Sequence, residues 1–145
     1  MTYADGVQPA SVGARVVAAL IDLVPTLALF FLLAKTVGTW ETGGGQTRIE
    51  LHNGAALLYV VLVLAYYLFF ELLFSRTPGK MARGLVVVDV NGSKARPSQM
   101  VGRNLMRIVD FAPAFYLIGF VAVIANDRNA RLGDLAAKTA VVQGR

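Results

Sequence analysis

Three apolar runs, separated by polar segments, dominate the hydrophobic pattern of the chain. The first, about residues 16–35, and the second, about residues 54–74, each approach the roughly 20 residues that a helix needs to cross about 30 Å of hydrocarbon. The third, residues 111–126, is shorter, and Pro113 lies near its start, where proline breaks or bends a helix. The pattern predicts two transmembrane helices and a third element of a different kind.

The first run also has the position of a secretory signal peptide. It is longer than the apolar region of a signal peptide, it contains Asp22 and Pro25, and no small-x-small cleavage site follows it. We therefore interpret it as an uncleaved span.

Two arrangements of the third run stay open. A third crossing leaves the basic segment 127–145 outside the membrane, contrary to the positive-inside tendency. The other arrangement is a re-entrant helical hairpin over about residues 98–126, with its turn at Pro113. It returns the chain to the side of the membrane from which it came. Such a hairpin requires that the rest of the protein shield its backbone from lipid. We favour the hairpin over the third span.

Lysine and arginine are unevenly distributed around the spans. Seven lie between Ser75 and Asp110, whereas the loop between the two spans holds Arg48, with Lys35 at its edge. We therefore expect a multi-pass protein of the cytoplasmic (inner) cell membrane. Its N-terminus, its C-terminus and the segment 75–97 are expected on the cytoplasmic side.

Two short segments have the composition of strands. LVVVDV is followed by the turn residues Asn91 and Gly92, and TAVVQ lies near the C-terminus. Because a lone strand is unstable, we expect the two to pair on the cytoplasmic side; the alternative is a loop and a frayed tail. The predicted fold is a single all-α membrane domain over residues 1–145, with two transmembrane helices, a re-entrant or third spanning hairpin, and a small β element.

Composition supports a membrane protein. Of 145 residues, 56% are hydrophobic and 16% charged, with a mean hydropathy of +0.58, so the chain has more apolar surface than one small core can bury. The formal charge of +5 raises the possibility of a nucleic-acid partner, but the basic residues lie between apolar runs and form no nucleic-acid motif. We interpret them as topology signals and contacts with anionic lipid headgroups.

Ionisable residues inside the apolar runs are the strongest candidates for a site. A charged aspartate such as Asp22 costs about 2.5–3.5 kcal/mol at the centre of a span, so it needs a partner, water or a proton. Arg103 and Arg107 are four residues apart on one helical face, and Asp110 follows three residues later. These residues, together with Glu71, are predicted to form a buried polar network.

Two other charged positions have predicted roles outside that network. Arg15 precedes Asp22 by two helical turns and is expected to snorkel to the cytoplasmic headgroups. Asp134, in RLGDLAAKT, is expected to cap a helix or to hold a basic residue such as Arg131 or Lys80.

The segment SRTPGK is not a phosphate-binding loop, because it lacks the first glycine and a Ser or Thr after Lys80. Its Pro78 and Gly79 are expected to turn the chain out of the second span, with Lys80 and Arg83 against lipid phosphates. Cysteine is absent and His52 is the single histidine. We therefore expect no metal site, no cofactor and no enzymatic activity.

Four motifs, ARVVAALID, TPGKMARGLVVVDVNG, RNLMRIVDFAP and RLGDLAAKTAVV, stand in the order seen in the RDD family of bacterial membrane proteins, which the chain resembles over residues 12–143. The family is named for one arginine and two aspartates. The resemblance places these at Arg15, Asp22 and Asp134, with Asp110 as the rival for the last.

The resemblance implies an integral membrane protein with a role in transport, in some members cation/proton antiport. Because one chain with two spans and no internal repeat is small for a transporter, we expect a homo-oligomer. It would move protons, monovalent cations or another small solute, with Asp22 and either Asp110 or Glu71 as switchable carboxylates. The alternative is a non-catalytic accessory or scaffold subunit of a larger membrane complex, in which the polar network clamps the hairpin to the spans.

Overall fold

The computed structural model describes residues 8–111 and 132–144, and it is mostly helical. In chain order the elements are α1 (Val12–Val37), β1 (Thr39–Gly43), β2 (Gln46–Glu50), α2 (Asn53–Phe74), α3 (Pro78–Ala82), β3 (Leu85–Asp89), α4 (Pro97–Phe111), α5 (Leu132–Ala136) and β4 (Thr139–Gln143). Two of them, α1 and α2, are long and apolar enough to cross a membrane, which confirms the two predicted helices.

Helix α1 begins at a serine cap. The side chain of Ser11 accepts a hydrogen bond from the backbone N–H of Ala14, which satisfies one of the unpaired donors of the first turn. The 26 residues of α1 extend about 39 Å, and the 22 residues of α2 about 33 Å, so both exceed the hydrocarbon thickness of about 30 Å. Most of the large apolar side chains exposed on the described chain lie on these two helices.

The segment between α1 and α2 is an antiparallel hairpin of β1 and β2. Its two turn residues, Gly44 and Gly45, have φ values of 59° and 77°, the positive values that a two-residue type I′ turn requires. The sequence predicts only a loop between the two spans here. Trp40 of β1 holds the hairpin to the end of α1, because its indole N–H donates to the carbonyl of Ala34 at 2.8 Å.

At the opposite end of the two long helices, β3 pairs antiparallel with β4, from Leu85 opposite Gln143 to Asp89 opposite Thr139. The two segments therefore pair with each other, while the expected cytoplasmic location of the pair stays a prediction. The backbone N–H of Ala10 donates to the carbonyl of Val141 at 2.8 Å, which adds the segment before α1 to the edge of β4. We call this end, residues 8–11, 75–97 and 132–144, the β3–β4 layer.

A small hydrophobic core holds the β3–β4 layer to the start of α1. Its buried members are Ala10, Ala18, Leu85, Val87, Ala95, Met100 and Val141. The alternation of buried and partly buried residues along β3 is the period of two expected when one face of a strand packs on a core.

The short helix α3 brings the chain from α2 back against α1. Helix α2 ends at Ser75, which adopts a left-handed conformation with a φ of 55°. Thr77 caps α3, Pro78 occupies its first turn, and Gly79 lies against the backbone of Ala18. A Cβ atom at Gly79 would lie 2.0 Å from the Ala18 carbonyl oxygen, so only glycine permits this approach.

Helix α4 covers the segment predicted as the first arm of the hairpin, and it packs against α2 and α5. The rest of the third apolar run, residues 112–126, lies outside the described residues. The two predicted arrangements of that run, re-entrant and spanning, therefore stay predictions.

Candidate functional site

Asp22 lies in α1 and is 3% exposed. Its Oδ1 atom accepts the backbone N–H of Gly79 at 2.8 Å and the hydroxyl of Tyr66 at 3.2 Å, and its Oδ2 atom accepts the hydroxyl of Thr77. All three donors are neutral. The carboxylate thereby ties α1 to α2 and to the start of α3.

The structure gives Asp22 different partners from the predicted arginines. Arg103 contacts two other carboxylates, and Arg107 lies over an aromatic ring. Within residues 8–111 and 132–144, Asp22 forms no ion pair. The reason is steric, because the turn that contains Thr77 and Gly79 occupies the space beside its carboxylate.

Glu71, near the end of α2, is fully buried and is surrounded by cations. The Nζ atom of Lys80 forms an ion pair with its Oε1, and the Nε atom of Arg103 lies 3.3 Å from its Oε2. The side-chain amide of Asn104 donates to the same Oε2 at 2.8 Å. Lys80 is therefore turned inward rather than toward lipid phosphates as predicted, whereas Arg83 is exposed.

The two arginines of α4 share the face that packs on α2, as their spacing predicted. Arg103 contacts Glu71, and one turn further along α4 the guanidinium of Arg107 lies 3.5 Å from the ring centroid of Tyr67. Glu71 and Tyr67 are also four residues apart, so two successive contacts join α2 and α4. The second is a cation–π contact with a mostly buried ring.

Asp134, in α5, is 1% exposed and binds two arginines. The guanidinium of Arg15 forms an ion pair with its Oδ2, and the Nη2 atom of Arg103 lies 2.9 Å from its Oδ1. Arg15 therefore faces the protein rather than the headgroups, contrary to its predicted snorkelling. Asp134 holds basic residues as predicted, but these are Arg15 and Arg103 rather than Lys80; Arg131 lies outside the described residues.

Arg103 connects the two carboxylates, which creates a chain of alternating charges. We call it the ion-pair chain, and its members in order are Arg15, Asp134, Arg103, Glu71 and Lys80. It joins all five described helices. Since removing one partner of a buried pair leaves an uncompensated charge, each member is expected to matter for folding. Of the residues predicted for one network, the structure joins Glu71 to Arg103 and gives Asp22 other partners, while the side chain of Asp110 lies outside the described residues.

Sequence reasoning missed three polar residues of the site. Tyr66 is not among the residues predicted for the network, yet its hydroxyl contacts Asp22. Thr77 and Asn104 were assigned no role. A Thr-Pro pair directly after a span is a helix-start signal that indicates the cap at Thr77, but nothing in the local pattern points to Asn104.

A sequence comparison places this site within a known family. The sequence model of the RDD family matches residues 9–138, most of the chain. The chain belongs to the RDD family. The matched region includes Arg15, Asp22 and Asp134, the residues to which the resemblance assigned the family signature. Comparisons with curated proteins and with solved structures found no match.

Membership in the RDD family and two long apolar helices together indicate a membrane protein. In this RDD protein the three residues to which the resemblance assigns the signature have separate environments. Arg15 and Asp134 bind each other, whereas Asp22 binds neutral donors. Among the residues described, no group of three or more His, Asp or Glu side chains is arranged to hold a metal ion.

Proposed function

We propose that this RDD protein is an oligomeric proton transporter in which Asp22 gains and releases the proton. The observation that carries the proposal is that the Asp22 carboxylate, buried in an apolar helix, has only neutral donors as partners among residues 8–111 and 132–144. An intramembrane carboxylate without a cation is the kind of group that proton paths use. Glu71 and Asp134 are less suited to this role, because two cations hold each of them.

The donors around Asp22 favour a proton over a metal cation. A metal ion needs lone pairs directed at it, whereas the N–H of Gly79 directs a hydrogen at Oδ1. The hydroxyls of Tyr66 and Thr77 can rotate, so they can accept a hydrogen bond from a protonated carboxyl group. Protonation therefore requires only hydroxyl rotation.

An oligomer is proposed because two helices cannot enclose a path for protons. Only four residues of α1 and three of α2 are buried in a single chain. Contacts between neighbouring subunits then complete the path that reaches Asp22. Small residues such as Ala19 and Ala55 permit the close helix approach that such contacts use.

We also propose that α1 and α2 cross the membrane and that the segment after α4 returns to the side on which α4 begins. The support is the pairing of Asp89 with Thr139, which brings the chain before α4 and the chain after α5 together. Two paired strands must lie on the same side of the bilayer. The chain between Asp89 and Thr139 therefore crosses the bilayer an even number of times. The basic residues of this end favour the cytoplasmic side.

Proton flux into proteoliposomes tests the role of Asp22. The purified protein is reconstituted with an internal pH-sensitive dye, and a potassium diffusion potential drives protons inward. Asp22→Asn keeps the shape of the side chain and an acceptor for Gly79, so the protein should remain folded while its flux falls to that of protein-free vesicles. Glu50→Gln, an exposed carboxylate on β2, is the matched control and should keep full flux.

Normal flux in a folded Asp22→Asn variant would exclude Asp22 as the proton carrier. Wild-type flux equal to that of empty vesicles, with an intact oligomer, would contradict the transport proposal as a whole. Folding of each variant is checked by size-exclusion chromatography and by its melting temperature in detergent.

The alternative function is a non-catalytic subunit of a larger membrane complex. It is favoured by the ion-pair chain, which joins five helices. The mass of the gently solubilised native complex tests it. Stoichiometric recovery of a second protein would support the accessory role, whereas a homo-oligomer that moves protons by itself would contradict it.

A further inference from the structure

The exposed charge of the β3–β4 layer is all positive within its described residues. The exposed basic residues are Arg76, Arg83, Lys94, Arg96 and Lys138. The two carboxylates of this layer, Asp89 and Asp134, are buried and are bound by side chains of the same chain.

The opposite end of the long helices is electrically balanced. There the exposed cations Lys35 and Arg48 accompany the exposed carboxylates Glu41 and Glu50. Arg48 and Glu50 form an ion pair at 3.5 Å. The β3–β4 layer is therefore the end that attracts anions. The sequence supplies its basic residues, and folding removes the opposing charge from its surface by burying both of its described carboxylates.

Two exposed arginines of the β3–β4 layer follow the exposed apolar end of α2 in the sequence. The last turn of α2 exposes Leu73 and Phe74 by 56% and 50%, and Arg76 follows Phe74 by two residues. Arg83 directly follows the short helix α3, and three residues separate α3 from α2. In the part of the chain that the structure describes, no carboxylate pairs with Arg76 or Arg83.

We propose that Arg76 and Arg83 bind the phosphate of an anionic phospholipid whose acyl chain lies against Leu73 and Phe74. A guanidinium binds phosphate oxygens through two parallel hydrogen bonds, and basic residues beside a span are attracted to anionic headgroups. Free inorganic phosphate would satisfy the arginines but not the apolar surface. The site is independent of Asp22 and of the proposed transport.

Native mass spectrometry of the full-length protein in detergent tests the site. Phosphatidylglycerol and phosphatidylcholine are added separately at equal concentration, and the fraction of protein that keeps a lipid is measured. The wild-type protein should retain phosphatidylglycerol in preference to phosphatidylcholine. The variant Arg76→Gln/Arg83→Gln should lose that preference, with about a fivefold loss of phosphatidylglycerol binding for each arginine.

Three controls distinguish a specific lipid site from an effect of total charge or of phosphate alone. Lys35→Gln/Arg48→Gln removes the same charge from the opposite end and should bind phosphatidylglycerol like the wild type. Arg76→Lys/Arg83→Lys keeps the charge without the planar guanidinium and should show partial binding. Inorganic phosphate in millimolar excess should not displace the lipid.

Equal loss of phosphatidylglycerol in the two glutamine variants would overturn the site, since it would show only an effect of total charge. Unchanged binding after loss of both arginines would also overturn it, and displacement by inorganic phosphate would exclude a lipid-specific site. Because Arg76 and Arg83 are exposed and form no described ion pair, the variants should keep the wild-type melting temperature.

Discussion

Arg15 and Asp134 form a largely buried ion pair although 119 residues separate them in the sequence. The pair joins the start of α1, the first apolar helix, to α5, near the C-terminus. Arg103 binds the other oxygen of the same carboxylate. One aspartate therefore fixes α1, α4 and α5 relative to each other.

Replacing Asp134 by asparagine should destabilise the protein by about 3–5 kcal/mol, because it leaves Arg15 and Arg103 without this carboxylate. Unfolding in detergent, followed by circular dichroism, measures the change. Glu50→Gln is the matched control, since its ion pair with Arg48 is exposed and should contribute less than about 1 kcal/mol. An equally small effect at Asp134 would contradict a structural role for the ion-pair chain.

The contact between Arg15 and Asp134 should appear as coupling in a double-mutant cycle. Arg15→Gln and Asp134→Asn should each destabilise the protein, and the double variant should lose less than the sum, with a coupling of about 0.5–3 kcal/mol. The measurement is the free energy of unfolding of all four proteins under one condition. Strict additivity would show that the two side chains do not interact in the folded protein.

Gly79→Ala should be strongly destabilising. The added Cβ would lie 2.0 Å from the carbonyl oxygen of Ala18, and the backbone of α3 would have to move from α1, at a cost of about 1–3 kcal/mol or more. Gly102→Ala in α4 is the control, because its Cβ meets no atom of the described residues within 4 Å and a helix favours alanine by about 1 kcal/mol. Melting temperatures that shift in the same direction for both variants would contradict this packing.

Asp89 should make the stability of the β3–β4 layer depend on pH. Hydrogen bonds from the backbone N–H of Asn91 and the side chain of Gln99 lower the pKa of the Asp89 carboxyl group below its ordinary value. Because the pKa is lower in the folded state, this stabilisation is present above the unfolded-state pKa of about 3.9 and is lost as the pH falls through the folded-state pKa.

The test compares melting temperatures of the wild type and Asp89→Asn between about pH 6 and pH 3, a range that brackets the ordinary pKa of aspartate. The wild-type protein should lose more stability on acidification than the variant, because the variant lacks the titrating group. Parallel curves for the two proteins would show that Asp89 does not contribute to the pH dependence.

The proposed topology can be tested with single cysteines, since the natural sequence has none. Ser93→Cys and Gln143→Cys lie in the β3–β4 layer, and Thr47→Cys lies in the β1–β2 hairpin. In intact cells a membrane-impermeant maleimide should label Thr47→Cys alone, and all three should react after the membrane is opened. Labelling of Ser93→Cys and Gln143→Cys from opposite sides would contradict the pairing of β3 with β4.

Local pattern was sufficient for α1, α2, β3 and β4, but not for the β1–β2 hairpin, which was predicted only as a loop. The apolar runs predicted α1 and α2, because a span needs a fixed length of apolar chain and that length is visible in the sequence. The β-branched segments after Gly84 and Lys138 predicted two strands that pair. The spacing of Arg103 and Arg107 predicted a shared helical face, because positions four apart always meet on one side of a helix.

The amino-acid sequence by itself therefore determined the two apolar helices, the strands β3 and β4 and the presence of charges that must be buried. The tertiary structure alone decided which charges meet. Lys80 turns inward to Glu71, and Asp22 receives neutral donors, because α3 folds back onto α1 at Gly79. Such partnerships depend on how separate helices pack, and residues as distant as Arg15 and Asp134 carry no local signal of their contact.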